Sequence, residues 1–501
     1  MRNWVGLTML GMALATAGCG KKADQASGGA HEIAWREGDV DDAFAEAREA
    51  NKPVLLYWGA KWCPPCNLMK QTLFKDPGFI AETRNFVAVH LDGDAKDAQN
   101  WGAKFGIQGY PTVIILTPDH TEVTRLDGGS TASALAEVLK LAAKRTVSSE
   151  ELLKRAEHPA DLSADDWRLL ASFDWLDDHK HFDDHEKGAA FVARLADAAP
   201  DPAAKRHFAL TSLFMANEGK NVATLTPDQQ AETRAILPAI LADDGEVKAN
   251  REELSYGGAP LILGLPDPAE RQALSGKLVA ALDKVAADES VPLGDRLSAV
   301  SVEVALSKAA NGGKATPDVL AKVRARVALA DKAATDPSMR QAVMPDAGQL
   351  LADAGDRTGA EALWRAELPR AVAPYYFMVD LADLAEDGKD SRTAIDWLRQ
   401  AAEAAQGPAT RIQWAILYSD GVMRMAPDDQ TAVAQSAGMV VEALGQNSSG
   451  YAERTEKKVD SWSKKLREWS AAHGGADVLA RLSARLDQAC LKDACKNGLK
   501  S

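Results

Sequence analysis

Trp62-Cys63-Pro64-Pro65-Cys66 places two cysteines three positions apart, directly after the apolar run Val54-Leu55-Leu56-Tyr57-Trp58. A continuous apolar stretch of that length reads as a buried strand. Prolines at the first helical positions forgo only amide protons that have no intrahelical partner, so the sequence predicts a helix starting at the first cysteine. The Cys63 sulfur then sits among unpaired backbone N–H groups at the positive end of a helix dipole, which favours its thiolate. Cys66, one turn in, is more buried but near enough to attack a mixed disulfide. A redox couple therefore requires Cys63 as an accessible nucleophile and Cys66 as the resolving thiol. The plain alternatives are a structural disulfide and a metal clip. A zinc site needs a second ligand pair nearby, and this part of the chain offers none.

The surrounding pattern alternates. Val40 to Asn51 has helical spacing, Phe86 to Leu91 reads as a second strand, and Asp94 to Phe105 reads as a helix stopped by Gly106. Thr112 to Leu116 and Glu122 to Leu126 form a hairpin-like pair around Pro118-Asp119, and a last helix runs from about Ser130 to Lys144. With Gly109-Tyr110-Pro111-Thr112 standing before the hairpin, residues 38–145 resemble a thioredoxin-fold domain, an α/β fold with a central mixed sheet. Lys52-Pro53-Val54 and Phe74-Lys75-Asp76-Pro77 are most similar to the periplasmic thioredoxin-like reductases and to the soluble C-terminal domain of the transmembrane carrier that supplies them. The resemblance implies thiol–disulfide oxidoreductase activity on protein thiol or disulfide substrates, with an electron donor in the membrane or periplasm and no cofactor. It also implies that Pro111 is cis and packs on the cysteine pair. Tyr110 would offer backbone groups to a substrate peptide, and Trp62 an apolar contact. The direction of electron flow stays open. One departure stands out. Thioredoxins carry a buried Asp six residues before the first cysteine, paired with a Lys on the next strand. Here Tyr57 holds the first position and Ala88 matches the second, so the usual proton acceptor of the resolving cysteine is missing.

The N-terminus suggests export. Arg2 precedes an apolar stretch, Trp4 to Ala17, too short for a permanent membrane span. Thr16-Ala17-Gly18-Cys19 resembles the lipobox of bacterial lipoproteins, although Thr16 replaces the usual aliphatic residue. The expected organisation is a signal peptide over 1–18, acylated Cys19 anchoring the chain to a membrane, and a tether over 19–37. The net charge of -14, with no basic patch, argues against nucleic acid. In an exported chain, the remaining cysteines Cys490 and Cys495 are expected to close a small structural disulfide. On an unbroken helix their Cα atoms would stand about 7–8 Å apart, beyond comfortable bridging distance, so either they are two free thiols or the helix ending near Ala489 turns and lets them close a small loop. A second redox pair passing electrons to or from Cys63 is the other reading.

From 148 to 501 the signals are helical, broken at sites such as Leu225-Thr226-Pro227-Asp228 and Ala315-Thr316-Pro317-Asp318. Residues 347–425 resemble tetratricopeptide-like helix hairpins, with a subdivision near 345, although the sequence shows no strict 34-residue period. The tryptophans at 364, 397, 414, 462 and 469 read as packing residues and not as a cofactor box, and for Tyr375-Tyr376-Phe377 after Pro374 a groove lining is the minority reading. Asp174 to Gly188 contains His181 and His185 one turn apart, with Asp177 and Asp184 near, which permits zinc or copper. Core anchors Trp175 and Phe182 with a solvated charged face explain the same stretch, and no metal is expected. Two functional readings result: a membrane-tethered periplasmic oxidoreductase whose helical part binds a partner, or an assembly scaffold in which the thioredoxin-like part only docks.

Overall fold

The structure, a computed structural model, describes residues 32–107, 109–126, 132–144, 147–176, 181–182, 184–446 and 453–489. Cys19, Asp177, Cys490 and Cys495 lie outside them. Among the described residues no helix is long and apolar enough to cross a membrane.

The first part is a five-stranded mixed sheet in the order β1-β3-β2-β4-β5, with β1 Arg36–Glu37, β2 Val54–Gly59, β3 Val87–Asp92, β4 Thr112–Leu116 and β5 Glu122–Leu126. Strands β1, β3 and β2 are parallel; β4 runs antiparallel to β2 and β5 to β4. Five helices complete it: α1 Val40–Ala50, α2 Pro64–Gln71, α3 Pro77–Thr83, α4 Lys96–Phe105 and α5 Ala132–Ala142. This is the thioredoxin fold. Strand β1 falls within the expected tether; two residues are too few to leave an alternation in the sequence.

Every residue of β2 is buried, because successive side chains feed opposite faces and both are covered. Val54, Leu56 and Trp58 join α1 in one core, whereas Leu55 and Tyr57 join α2, α3 and α5 in another. That second core does not stop at the sheet. It runs through Leu152, Leu170 and Phe173 into the helical part, as one cluster reaching Leu384. Phe173 even makes a backbone bridge with Leu126 of β5.

The second part is all α. Many of its helices open with the same device, a capping Asp or Thr followed by Pro at the first helical position: Asp201-Pro202, Thr226-Pro227, Asp267-Pro268, Thr316-Pro317 and Asp336-Pro337. The cap oxygen satisfies amide protons that the helix cannot, and proline is pre-set for the first turn. A 34-residue step separates the helices that start at Arg357 and Ser391, and likewise those that start at Pro374 and Pro408. Residue 345 lies inside a helix, Pro337–Asp353. The core changes farther on, where a cluster spanning Ala382 to Leu486 begins. Tyr256 to Leu265, apolar and rich in Gly and Pro, belongs mostly to the helix Arg251–Leu263.

Candidate active site

Cys63 is the N-cap of α2. Its Sγ accepts from the Cys66 backbone N–H at 3.2 Å, and Pro64 and Pro65 occupy the first helical positions. The two cysteines form a disulfide. Asn67 donates through its side chain to the Lys61 carbonyl at 2.9 Å, pinning the loop that leads into the pair. The Tyr110–Pro111 peptide is cis, and the Tyr110 carbonyl oxygen stands 3.6 Å from Cys63 Sγ. Trp62 lies edge-on to the Tyr110 ring, with centroids 6.0 Å apart. Cys63, Cys66, Trp62, Tyr110 and Pro111 are therefore brought to one end of the sheet.

Accessibility differs from the sequence reading. Cys63 is only 2% exposed and Cys66 is fully buried. Ala60, Trp62 and Tyr110 pack directly on the pair, and the helical part closes around them. Helix Pro337–Asp353 packs along α2, and Gln71 of α2 donates to Asp336 at 3.4 Å. Tyr376 stacks on Trp62, with centroids 6.0 Å apart and planes 18° from parallel. Asp94, in the loop after β3, accepts from Trp62 Nε1 at 2.6 Å and from the Thr410 hydroxyl at 2.7 Å. Burial raises the Asp94 carboxyl above the ordinary carboxylate range, opposed by the hydrogen bonds from Thr410 and Trp62. Beside Trp62 opens a cleft of about 370 Å³, walled by Tyr376, Trp414 and Trp462 with Thr410 and Leu417. A second cleft, of about 420 Å³ between Arg424 and His473, contains none of the site residues. Asp94, Thr410 and Asn67 were not legible as site residues, because single polar residues in loops or at helix starts carry no pattern. Of Tyr375-Tyr376-Phe377, for which a groove is the minority reading of the sequence, only Tyr376 lines the cleft; Tyr375 and Phe377 are buried.

The position of the missing acid is also resolved. Tyr57 pairs with His90 in the β2–β3 register, whereas Ala88 lies opposite Leu55. His90, not Ala88, is thus the cross-strand neighbour of Tyr57. The parallel offset is two residues from the expected match, which a strand of continuous apolar residues does not specify. Tyr57 Oη and His90 Nε2 are buried and without hydrogen-bond partners among the described residues. Burial pushes the Tyr57 phenol up, so it stays protonated at neutral pH. His90 Nδ1 meets the Glu37 carboxylate at 2.9 Å.

The histidine cluster is otherwise engaged. Asp184 caps the helix His185–Ala198 by accepting from Glu186 and Lys187, and His185 pairs with Glu218 at 2.7 Å. His181 lies against Phe173. Among the described residues no three His, Cys, Asp or Glu side chains are grouped to hold a metal. Trp364, Trp462 and Trp469 are buried packing residues, as read from the sequence.

Residues 40–143 match the thioredoxin-like domain family. Fold and site together define a thioredoxin-like domain with a CXXC disulfide, followed by a large helical region. Over 110 residues the chain is 33% identical to thiol:disulfide interchange protein DsbD 1 of Pseudomonas aeruginosa, a match covering 21% of this chain and 19% of that protein. It is similar also to a protein disulfide-isomerase of Zea mays, 29% identical over 92 residues, which are 18% of this chain and 17% of the relative. Thioredoxin H4 of Arabidopsis thaliana is 26% identical over 95 residues, 19% of this chain and 76% of the relative. The chain thus spans under a fifth of the length of the interchange protein and the isomerase it matches.

Proposed function

We propose that this protein is a thiol–disulfide oxidoreductase acting on cysteines of polypeptide substrates. The observation that carries the reading is Cys63 as the N-cap of α2, bonded to Cys66 and facing the Tyr110 carbonyl. In the reducing direction the Cys63 thiolate attacks a substrate disulfide. A Cys63–substrate bond forms, and one substrate sulfur leaves as a thiolate. Cys66 then loses its proton and attacks Cys63 Sγ, which releases the second substrate thiolate and closes the Cys63–Cys66 disulfide. Two electrons pass to the substrate, and the reverse sequence oxidises a dithiol. The names of the relatives, an interchange protein and an isomerase, support exchange with protein partners.

The same proposal places the chain outside the cytoplasm, held to a membrane by an acylated Cys19 and drawing on a donor in the membrane or periplasm, because Thr16-Ala17-Gly18-Cys19 follows a short apolar stretch. Cys19→Ala is expected to release the protein from membranes or block its processing; unchanged fractionation removes the anchor from the proposal.

The deciding experiment pairs a reduction-potential titration of the full chain with Cys63→Ser. A measurable two-electron couple, lost with peptide-disulfide turnover in Cys63→Ser, is the expected result. The scaffold reading is favoured by one observation, the 2% exposure of Cys63, and it predicts that Cys63→Ser retains the biological phenotype.

A further inference from the structure

Helix Pro408–Met425 begins without a cap of its own. Its N-cap is Gly407, at φ +92, which has no side chain to offer the first amide protons. The carboxylate comes instead from the thioredoxin-like part. Asp94 accepts from the Thr410 backbone N–H at 3.3 Å and from its hydroxyl at 2.7 Å. A Cβ at residue 407 would overlap the Asp94 carboxylate, so the glycine leaves room for a cap that arrives from a residue more than 300 positions earlier. The other Asp94 oxygen takes the Trp62 indole N–H at 2.6 Å. One carboxylate therefore ties a helix start to the residue beside the nucleophile.

We propose that Asp94 is a positioning residue that clasps the helical array over the redox pair, so that Cys63 exchanges with an extended cysteine-bearing segment of polypeptide entering by the aromatic cleft and is closed to folded proteins. This rests on the oxidoreductase reading above. Three observations lead to it. Cys63 is 2% exposed with the array seated, so a folded surface has no approach to its sulfur. The cleft opens beside the pair: Trp62 lines it and is the chain neighbour of Cys63. Its volume of about 370 Å³ falls at the lower end of the range for small-ligand sites. Tyr376 and Trp414 offer aromatic walls, and Gln413 and Ser461 offer polar groups, a combination suited to a slender chain with apolar side chains.

The test uses the reduced full chain and reads alkylation at Cys63 by peptide mapping, with iodoacetamide as the small reagent and a polyethylene-glycol maleimide as the bulky one. The wild type is expected to react with the small reagent and to resist the bulky one. Asp94→Ala, which removes both the cap and the indole acceptor, should raise the bulky rate about tenfold and leave the small rate within about twofold. Asp94→Asn, whose single amide oxygen can accept from Thr410 or from Trp62 but not from both, should give a ratio between those of the wild type and Asp94→Ala. If Asp94→Ala does not fold, Thr410→Val on the other side of the clasp should shift the ratio in the same direction by about threefold. A peptide disulfide should turn over when free, but not when a folded carrier is joined next to its cysteine. Equal reaction of the wild type with both reagents overturns the proposal, as does a variant that moves both rates together. Alkylation needs no turnover. Size selectivity without turnover therefore removes the oxidoreductase reading alone, and size-blind alkylation with turnover removes the clasp alone.

Discussion

Tyr57 stacks on His90 across the β2–β3 ladder, ring centroids 5.0 Å apart and planes 21° from parallel. Tyr57 stands six residues before Cys63, where the resemblance to thioredoxins implies a buried acid. A phenol held protonated by burial cannot take the proton of Cys66, so resolution of a mixed disulfide is expected to be slow. Tyr57→Asp should speed it about tenfold or more at neutral pH, at a stability cost of about 3 kcal/mol, because it opens a cavity against Phe74 and buries a carboxylate. Tyr57→Phe removes only an unpartnered hydroxyl; it should leave the resolution rate unchanged and stability equal or slightly higher. Stopped-flow decay of the mixed disulfide checks both.

Cys63 should alkylate, once reduced, with an apparent pKa well below the free-cysteine value of about 8.5. The α2 amide at Cys66 points at its sulfur, and a thiolate there gains that hydrogen bond and the helix dipole. Cys66 should remain unreactive over the same range. Matching profiles for the two cysteines, read by mass spectrometry across pH, would remove the physical basis for assigning Cys63 as nucleophile.

Arg340 and Glu367 form a buried pair at 2.8 Å, with Glu367 completely shielded. Arg340 also donates to the carbonyls of Asp331 and Ala334, at 3.1 Å and 2.8 Å. It sits on the helix that braces α2, so removing it leaves two carbonyls unpaired and a buried carboxylate with Arg370, at 2.6 Å, as its remaining cationic partner. Arg340→Ala should cost about 3–5 kcal/mol in denaturant unfolding, far more than breaking the exposed pair Arg399–Glu403, which should cost less than about 1 kcal/mol.

Asp380 carries the pH prediction. Burial, then the nearby Asp383 and Asp346 carboxylates, push its carboxyl up to about 8, and its Oδ2 is buried without a partner among the described residues. An acid with a raised folded pKa binds more protons folded than unfolded. Its effect on stability therefore falls as pH climbs from about 4, the unfolded value, through about 8. Asp380→Asn should raise the melting temperature by about 1–3 °C at pH 9 and change it little at pH 4. An equal shift at both pH values would assign the effect to packing instead.

The redox motif, the strand before it and the Gly-Tyr-Pro-Thr turn were readable from residue order, because each is a local pattern with a local cause. Contacts that cross the chain were not. Asp94 and Thr410 are separated by 316 positions, and neither has neighbours that mark it as a cap or an acceptor. The seating of Tyr376 on Trp62 likewise follows from where the helices dock, which no periodicity within residues 54–70 encodes. The cross-strand partner of Tyr57 depended on a register that continuous apolar strands leave open. The 34-residue step is visible in the helix starts but not in the sequence, since small and apolar residues recur at similar spacings both inside and outside it.

The single core that joins sheet and helices bears on inheritance. A thioredoxin-like unit is usually a cassette, able to move between genes because its surface is finished on all sides. Here α2 leans on Pro337–Asp353, α5 on Ala164–Ala171 and β5 on Ser149–Ala156, and the apolar cluster runs through all of these contacts. Cut at residue 146, the first part would carry raw apolar faces into water, and the remainder would lose the cap of one of its helices. Neither half is a finished object. Substitutions along the seam must therefore be accepted jointly, so the two parts are expected to diverge as one gene product and not as interchangeable modules.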